Sequence, residues 1–158
     1  MGVVKVDVSQ LKKLRDRLAQ VEESSGKDKF YEDCARDLAA RLILLVKGRT
    51  QVVTGKLRRG WTGGKDIDPE SYVEGITVKH SGDTYTITVE NNVEYAIYYE
   101  YGHRQEPGRY VPAIGKRLTK SYVEPKYALQ KSEQELESIA PAVLEKELEE
   151  FLREVFDG

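Results

Sequence analysis

The chain reads as an α+β protein in which a small, mostly antiparallel sheet packs against a long central helix and a C-terminal helical segment. Three observations predict this. From about Asp28 to Lys47, Phe30, Cys34, Leu38, Leu42 and Leu45 recur at spacings of three or four, the period of one helical face. Two segments, Tyr72 to His80 (YVEGITVKH) and Thr84 to Asn91 (TYTITVEN), alternate apolar and polar residues around Ser81-Gly82-Asp83, a hairpin signature. From Leu129 to Val155 an apolar stripe runs through a segment otherwise rich in Glu and Lys, as an amphipathic helix requires. A length of 158 residues suits one domain with a real core and is short for two large ones, so residues 1–158 are expected to form a single α+β domain.

Taken in order, Val3 to Val8 alternates and fits a short edge strand. Ser9 is placed to cap a helix carrying Leu11, Leu14, Leu18 and Val21 on one face, which Ser24-Ser25-Gly26 would break. The central helix follows, with Gly48 positioned to close it. From Thr50 to Ser71 four glycines, a proline and little periodicity predict a long irregular loop at about 50–71. After the hairpin, Tyr95 to Tyr101 fits either a short helix or a third strand. Two hairpin strands are not stable alone, so this segment or Val3 to Val8 must complete the sheet. A second irregular basic loop is expected at about 102–125, where Pro107-Gly108 and Pro112 interrupt the chain. Pro141 divides the C-terminal segment, either at the first turn of a new helix capped by Ser138 or as a kink in a continuous one. The stripe there favours a helix laid on the sheet over a coiled coil.

Composition narrows the function classes. The chain is 39% hydrophobic and 33% charged, which suits a small protein with much surface or one whose surface is shared with neighbours. No apolar run approaches the ~20 residues that span a bilayer, and MGVVKVDVSQL lacks a signal-peptide core; a soluble, non-secreted protein is expected. Cys34 is the one cysteine, which excludes an intrachain disulfide, and its place in the helical series makes it a core residue. The net charge of −2 conceals segregation. Lys47 to Lys65 carries six cations and no acid, Asp66 to Tyr101 eight acids against Lys79, Gly102 to Lys120 five cations against Glu106, and the remainder ten acids against four cations. Blocks of opposite sign suit intramolecular pairing or complementary faces on adjacent copies.

Two runs stand out. YAIYYEYGHR, Tyr95 to Arg104, holds four tyrosines and a glutamate within seven residues; such rings suit a surface buried against another body while their hydroxyls find partners. VVTGKLRRGW, from Val52, ends in the only tryptophan, Trp61. A catalytic reading would combine Glu100, His103 and Arg104, but no second carboxylate, cysteine motif or metal-ligand spacing accompanies them, and GWTGGK lacks the context of a phosphate-binding loop. No enzyme, cofactor or metal site is expected. A nucleic-acid reading rests on the cations Lys56, Lys65, Arg104, Arg109, Lys116 and Arg117, interleaved with Trp61 and Tyr110; the pI of about 5.8 lies below that of dedicated binders, whereas a ring through which DNA passes needs only lumen-facing loops of this kind. On the structural reading, Gly55 makes a turn, Leu57 and Trp61 share one face of a short helix with Arg58 and Arg59 pointing away, and Glu100 accepts hydrogen bonds from a cation or backbone donor.

The pair TGKLRRGW and YAIYYEYGHR, about 35 residues apart, resembles the phage head–tail joining proteins of the Hong Kong 97 type, the tail-completion or neck proteins, whose pattern is TG-x-L-R, a hairpin, then Y-A-x-x-x-E-aromatic-G. This chain departs from it at Val52-Val53, where the family often has Pro-Val-Asp, and at His103, where Thr or Ser is common. The resemblance implies a non-catalytic α+β protein, often prophage-encoded, that assembles in the host cytoplasm and resides in the virion as a ring between the portal-side connector and the tail tube. Its implied partners are further copies, connector and tail proteins, and transiently the passing DNA, with no membrane. The assembly surface is then expected among Thr54, Gly55, Leu57, Arg58, Arg59, Trp61, Tyr95, Tyr98, Tyr99, Glu100, Tyr101 and Gly102. The basic loops, having little to bury locally, are expected to order on assembly.

Overall fold

A computed structural model describes residues 2–7, 26–51, 55–112 and 115–157. The helix expected over Leu11 to Val21 lies outside them. The sheet has three strands: β1 (Gly2–Asp7), β2 (Lys79–Ser81) and β3 (Thr84–Val89), in the order β1-β3-β2 and antiparallel throughout. β1 pairs with β3 from Gly2 opposite Val89 to Asp7 opposite Thr84, so the third strand comes from the N-terminal alternating segment. Tyr85, Ile87 and Val89 alternate on the buried face of β3.

That face packs on α1 (Gly26–Arg49). Ala35, Leu38, Ala39, Leu42, Ile43 and Val46 are buried against the sheet and the helices around it, and the alanines allow close approach. Each fully buried branched side chain, such as Leu42 or Ile43, contributes about 1.5–3 kcal/mol. The helix runs through Gly48 to Arg49 and ends where Thr50 turns its hydroxyl back onto the Val46 carbonyl at 2.7 Å, slightly beyond the glycine expected to close it.

In place of the long loop expected at 50–71 stand two short helices, α2 (Lys56–Gly60), the short helix after a Gly55 turn that the structural reading of Leu57 and Trp61 offered, and α3 (Pro69–Glu74), which was not expected. Consequently the strand expected from Tyr72 is helical at its start and only Lys79–Ser81 pairs. The cause is local: Asp68 accepts the Ser71 N–H at 3.0 Å and Pro69 occupies the first turn, a capped helix start. Those bonds also hold the Asp68 carboxyl below its ordinary value.

Tyr95 to Tyr101 resolves as helix α4 (Ala96–Tyr101). The region expected to be irregular at 102–125 is an arm of nested antiparallel ladders: β4 (His103–Arg104) with β7 (Tyr122–Val123), and β5 (Tyr110–Val111) with β6 (Lys116–Arg117). Between them, Gln105 N–H donates to Ser121 O at 2.9 Å and Leu118 N–H to Arg109 O at 2.8 Å. Strands of two residues broken by Pro107-Gly108 carry too little periodicity to be read from sequence. The chain ends in α5 (Ala128–Asp157), one continuous helix through Pro141. Ser138 does not cap a new helix; its hydroxyl donates to Glu135 O at 2.7 Å. Leu129, Leu136 and Leu148 bury against α1, so among the described residues α5 packs on the central helix and not on the sheet. Among the described residues no helix is long and apolar enough to cross a membrane.

Candidate functional site

The two sequence motifs meet where α1 ends and α5 begins. α2 starts at Gly55, whose φ of 78° is the left-handed turn that its side-chain-free backbone permits. Leu57 and Trp61 then face inward, both buried, and the Trp61 indole N–H donates to Thr50 Oγ1 at 3.2 Å. Gly60 lies so close to Asn91 that a Cβ there would sit 2.2 Å from Oδ1. Asn91 in turn donates from Nδ2 to Leu57 O at 2.7 Å and accepts from Val93 N–H at 3.1 Å, which ties α2 to the segment leading into α4.

α4 has two faces. Ala96, Tyr99 and Glu100 point inward. Tyr99 bridges the end of α1, donating its hydroxyl to Arg49 O at 3.0 Å and accepting from Gln51 N–H at 2.9 Å. Arg49 reaches α5 through the Ser132 hydroxyl at 3.2 Å and through a close ion pair with Glu135. Glu100 is 4% exposed, and its two oxygens accept from Leu129 N–H at 2.9 Å and Gln130 N–H at 3.0 Å. The residue ahead of α5, Tyr127, has no capping group and holds a φ of 49°. Glu100 therefore supplies from another element the cap that the local sequence lacks, at the positive end of the helix dipole.

Gly102 ends α4 at φ 74°. A Cβ on it would stand 2.6 Å from Val123 O, so glycine is required where the arm folds back on itself.

The outer face carries Ile97, Tyr98 and Tyr101, which are 53%, 51% and 58% exposed. The spacing of three and four residues aligns them, with Tyr95 exposed at the helix start. Tyr98 lies beside the His103 ring, 5.0 Å between centroids, while the His103 Nδ1 is buried without a partner.

The motif residues thus divide. Leu57, Trp61, Tyr99, Glu100 and Gly102, expected at an assembly surface, are engaged inside the fold: Leu57 by burial, Gly102 by its close approach to Val123, and Trp61, Tyr99 and Glu100 through polar groups that bridge or cap its elements. Tyr95, Tyr98 and Tyr101 remain at the surface. Lys56, Arg59, Lys65, Arg104, Arg109, Lys116 and Arg117 are exposed and Arg58 is half-buried; Thr54 lies outside the described residues. Arg58, Arg59 and Lys47 line a groove of about 460 Å³ beside the exposed Leu44. Sequence reasoning missed Arg49, Thr50, Asn91 and Ile97. The first three are ordinary polar residues whose roles come only from tertiary contacts, and Ile97 was legible only once the segment was known to be helical.

Among the described residues no group of three or more His, Cys, Asp or Glu side chains is placed to hold a metal ion. The Glu100 carboxylate, the one buried acid of the tyrosine motif, is committed to backbone donors. No curated protein and no solved structure matches the chain. Residues 12–102, more than half of its length and a span that contains the first motif and the second as far as Gly102, match the family model described as "Bacteriophage HK97-gp10, putative tail-component", and the chain belongs to that family of phage tail components.

Proposed function

We propose that this protein is a structural component of the neck of a tailed phage or prophage, joining head to tail as a ring-forming connector or tail-completion protein, without catalytic activity. One observation carries the reading: a short helix is fixed to α1 and α5 by Tyr99 and Glu100 while its opposite face presents Ile97, Tyr98 and Tyr101 to solvent. Rigid, exposed aromatic residues of this kind are the usual anchors of protein interfaces. The partners are further copies of the chain and the connector and tail proteins on either side, met in the host cytoplasm and retained in the virion.

The test is incorporation. Tyr98→Ala should leave the domain folded and yet abolish infectious particles, with heads and tails accumulating unjoined; a charge reversal at Arg58 should do the same. Normal joined particles from both folded variants would show that neither residue lies at an essential interface. Metal-dependent nuclease activity that disappears in a Glu100→Gln variant shown by circular dichroism to be folded would overturn the non-catalytic reading.

A further inference from the structure

The arm between His103 and Val123 lies beyond the family-matched segment and has a charge problem of its own. Arg104, Arg109, Lys116, Arg117 and Lys120 are all exposed, and none forms an ion pair among the described residues. Arg117 stands over the exposed Tyr110 ring at 6.0 Å and donates to Gly108 O at 2.9 Å, so the tip presents a cation stacked on an aromatic ring. Such a tip gains most from a site that offers both carboxylates and an apolar floor.

The same chain contains that site. Between the start of α1 and the end of α5 is a groove of about 280 Å³ floored by Phe30 and Phe151, whose rings stack at 4.5 Å. Its rim carries Asp33, Glu147, Glu150 and Glu154. Lys29, the rim's one cation, pairs with Asp33 at 2.9 Å, and Glu150 and Glu154 are left exposed without an ion-pair partner among the described residues.

Arm and groove lie at opposite ends of α5. The arm is rooted beside Ala128, and the groove lies some 20 residues on, about 30 Å along the helix axis. A donor and an acceptor at opposite ends of one rigid helix match between copies in a head-to-tail sense, the arrangement that closes into rings when its rotation permits. We infer that the basic arm of one copy docks its Arg117–Tyr110 tip into the acidic, phenylalanine-floored groove between α1 and α5 of the next copy. This deepens the ring-forming reading given above and rests on it for its biological setting. A second copy is favoured over DNA because the groove supplies an apolar floor for Tyr110 as well as charge, on a chain whose net charge is −2.

Disulfide trapping between two purified full-length variants tests it. Cys34 is buried, so introduced thiols react alone. Arg109→Cys, which keeps Tyr110 and Arg117, mixed with Glu150→Cys at high concentration should cross-link several-fold faster than Arg109→Cys mixed with Lys79→Cys, a control on the exposed edge of the sheet. Adding Arg117→Glu to the arm copy should remove the excess, and adding Glu154→Lys to the groove copy should restore it. Equal rates for the two mixtures, or no restoration by the charge swap, overturn the inference. If trapping shows no excess while Arg117→Glu loses retention on double-stranded DNA, the arm serves nucleic acid instead. The Ile97, Tyr98 and Tyr101 face is untouched in all these variants, so their failure leaves the head–tail reading standing.

Discussion

Replacing Glu100 with alanine should cost more stability than any surface change in the tyrosine motif, although the side chain makes no contact outside its own chain. Its carboxylate accepts two backbone N–H groups at 2.9 and 3.0 Å while 4% exposed. A hydrogen bond to a charged group contributes about 1.5–3 kcal/mol, and a buried donor left unpaired costs about 1–3 kcal/mol. Water can reach Gln130, an exposed residue, but not the buried Leu129, so the loss is partial at one donor and full at the other. The expected destabilisation is about 3–5 kcal/mol for Glu100→Ala. For Glu100→Gln, which keeps an acceptor oxygen but no charge, it is about 1–2 kcal/mol. Urea unfolding followed by the fluorescence of Trp61, the single buried tryptophan, measures both. A Glu100→Ala loss below about 1 kcal/mol, or a glutamine variant no better than alanine, would refute the capping role.

Gly102→Ala should destabilise by several kcal/mol, because the side chain would add a positive-φ penalty to a 2.6 Å approach to Val123 O; calorimetry reads the drop in Tm. Burial between α1 and α5, and then the hydrogen bond shared with Asp37, push the Glu147 carboxyl up to about 8 from 4.5, with Cys34 and Arg41 also facing it. The folded state therefore keeps a proton that the unfolded chain loses, so stability falls as pH rises from about 4.5 to 8 and levels above. Because Glu147 is half-exposed, about 1–2 kcal/mol of that slope is expected to survive solvent screening, and Glu147→Gln should flatten it; an unchanged slope in chemical unfolding at pH 5, 7 and 9 would reject the assignment. Hydrogen exchange on monomeric protein should show the amides around Trp61 and Thr62 protected as well as those of β3, since both residues are buried; rapid exchange there would mean that α2 forms only on assembly. Tyr98→Ala and Tyr101→Ala should each leave Tm nearly unchanged, since both side chains are half-exposed or more.

The large apolar periods were legible: α1, the Thr84 strand and α5 each carry a repeat long enough to read, and the edge strand from Val3 alternates cleanly. Tyr72 to Val78 misled because an alternating pattern also fits a capped helical turn, and the signal that decides it is Asp68-Pro69 ahead of Ser71, not the apolar residues. The arm could not be read because its ladders are two residues long and their register depends on Gly102 turning the chain. At the site, the Gly55 turn, the shared face of Leu57 and Trp61 and an acceptor role for Glu100 were legible, but which residues of the tyrosine run lock the fold and which face outward was not. Glu100 and Tyr101 are neighbours of similar prominence in sequence, yet one is 4% and the other 58% exposed. Only the helical phase of α4, set by contacts to Arg49 and α5, separates the locking residues from the presenting ones. The expectation that the first basic run has little to bury failed for a related reason: Trp61 joins the α1 core and Leu57 is tied to Asn91, far away in sequence, while Thr62 is held locally by the Arg59 and Lys65 carbonyls.

The most direct test of the central claim is location in the particle. Antibody labelling against this chain, imaged by electron microscopy on intact tailed particles from cells producing the phage, should place it at the head–tail junction in a ring-like set. Label confined to the distal tail, or absent from particles that are nevertheless joined and infectious, would contradict a neck role.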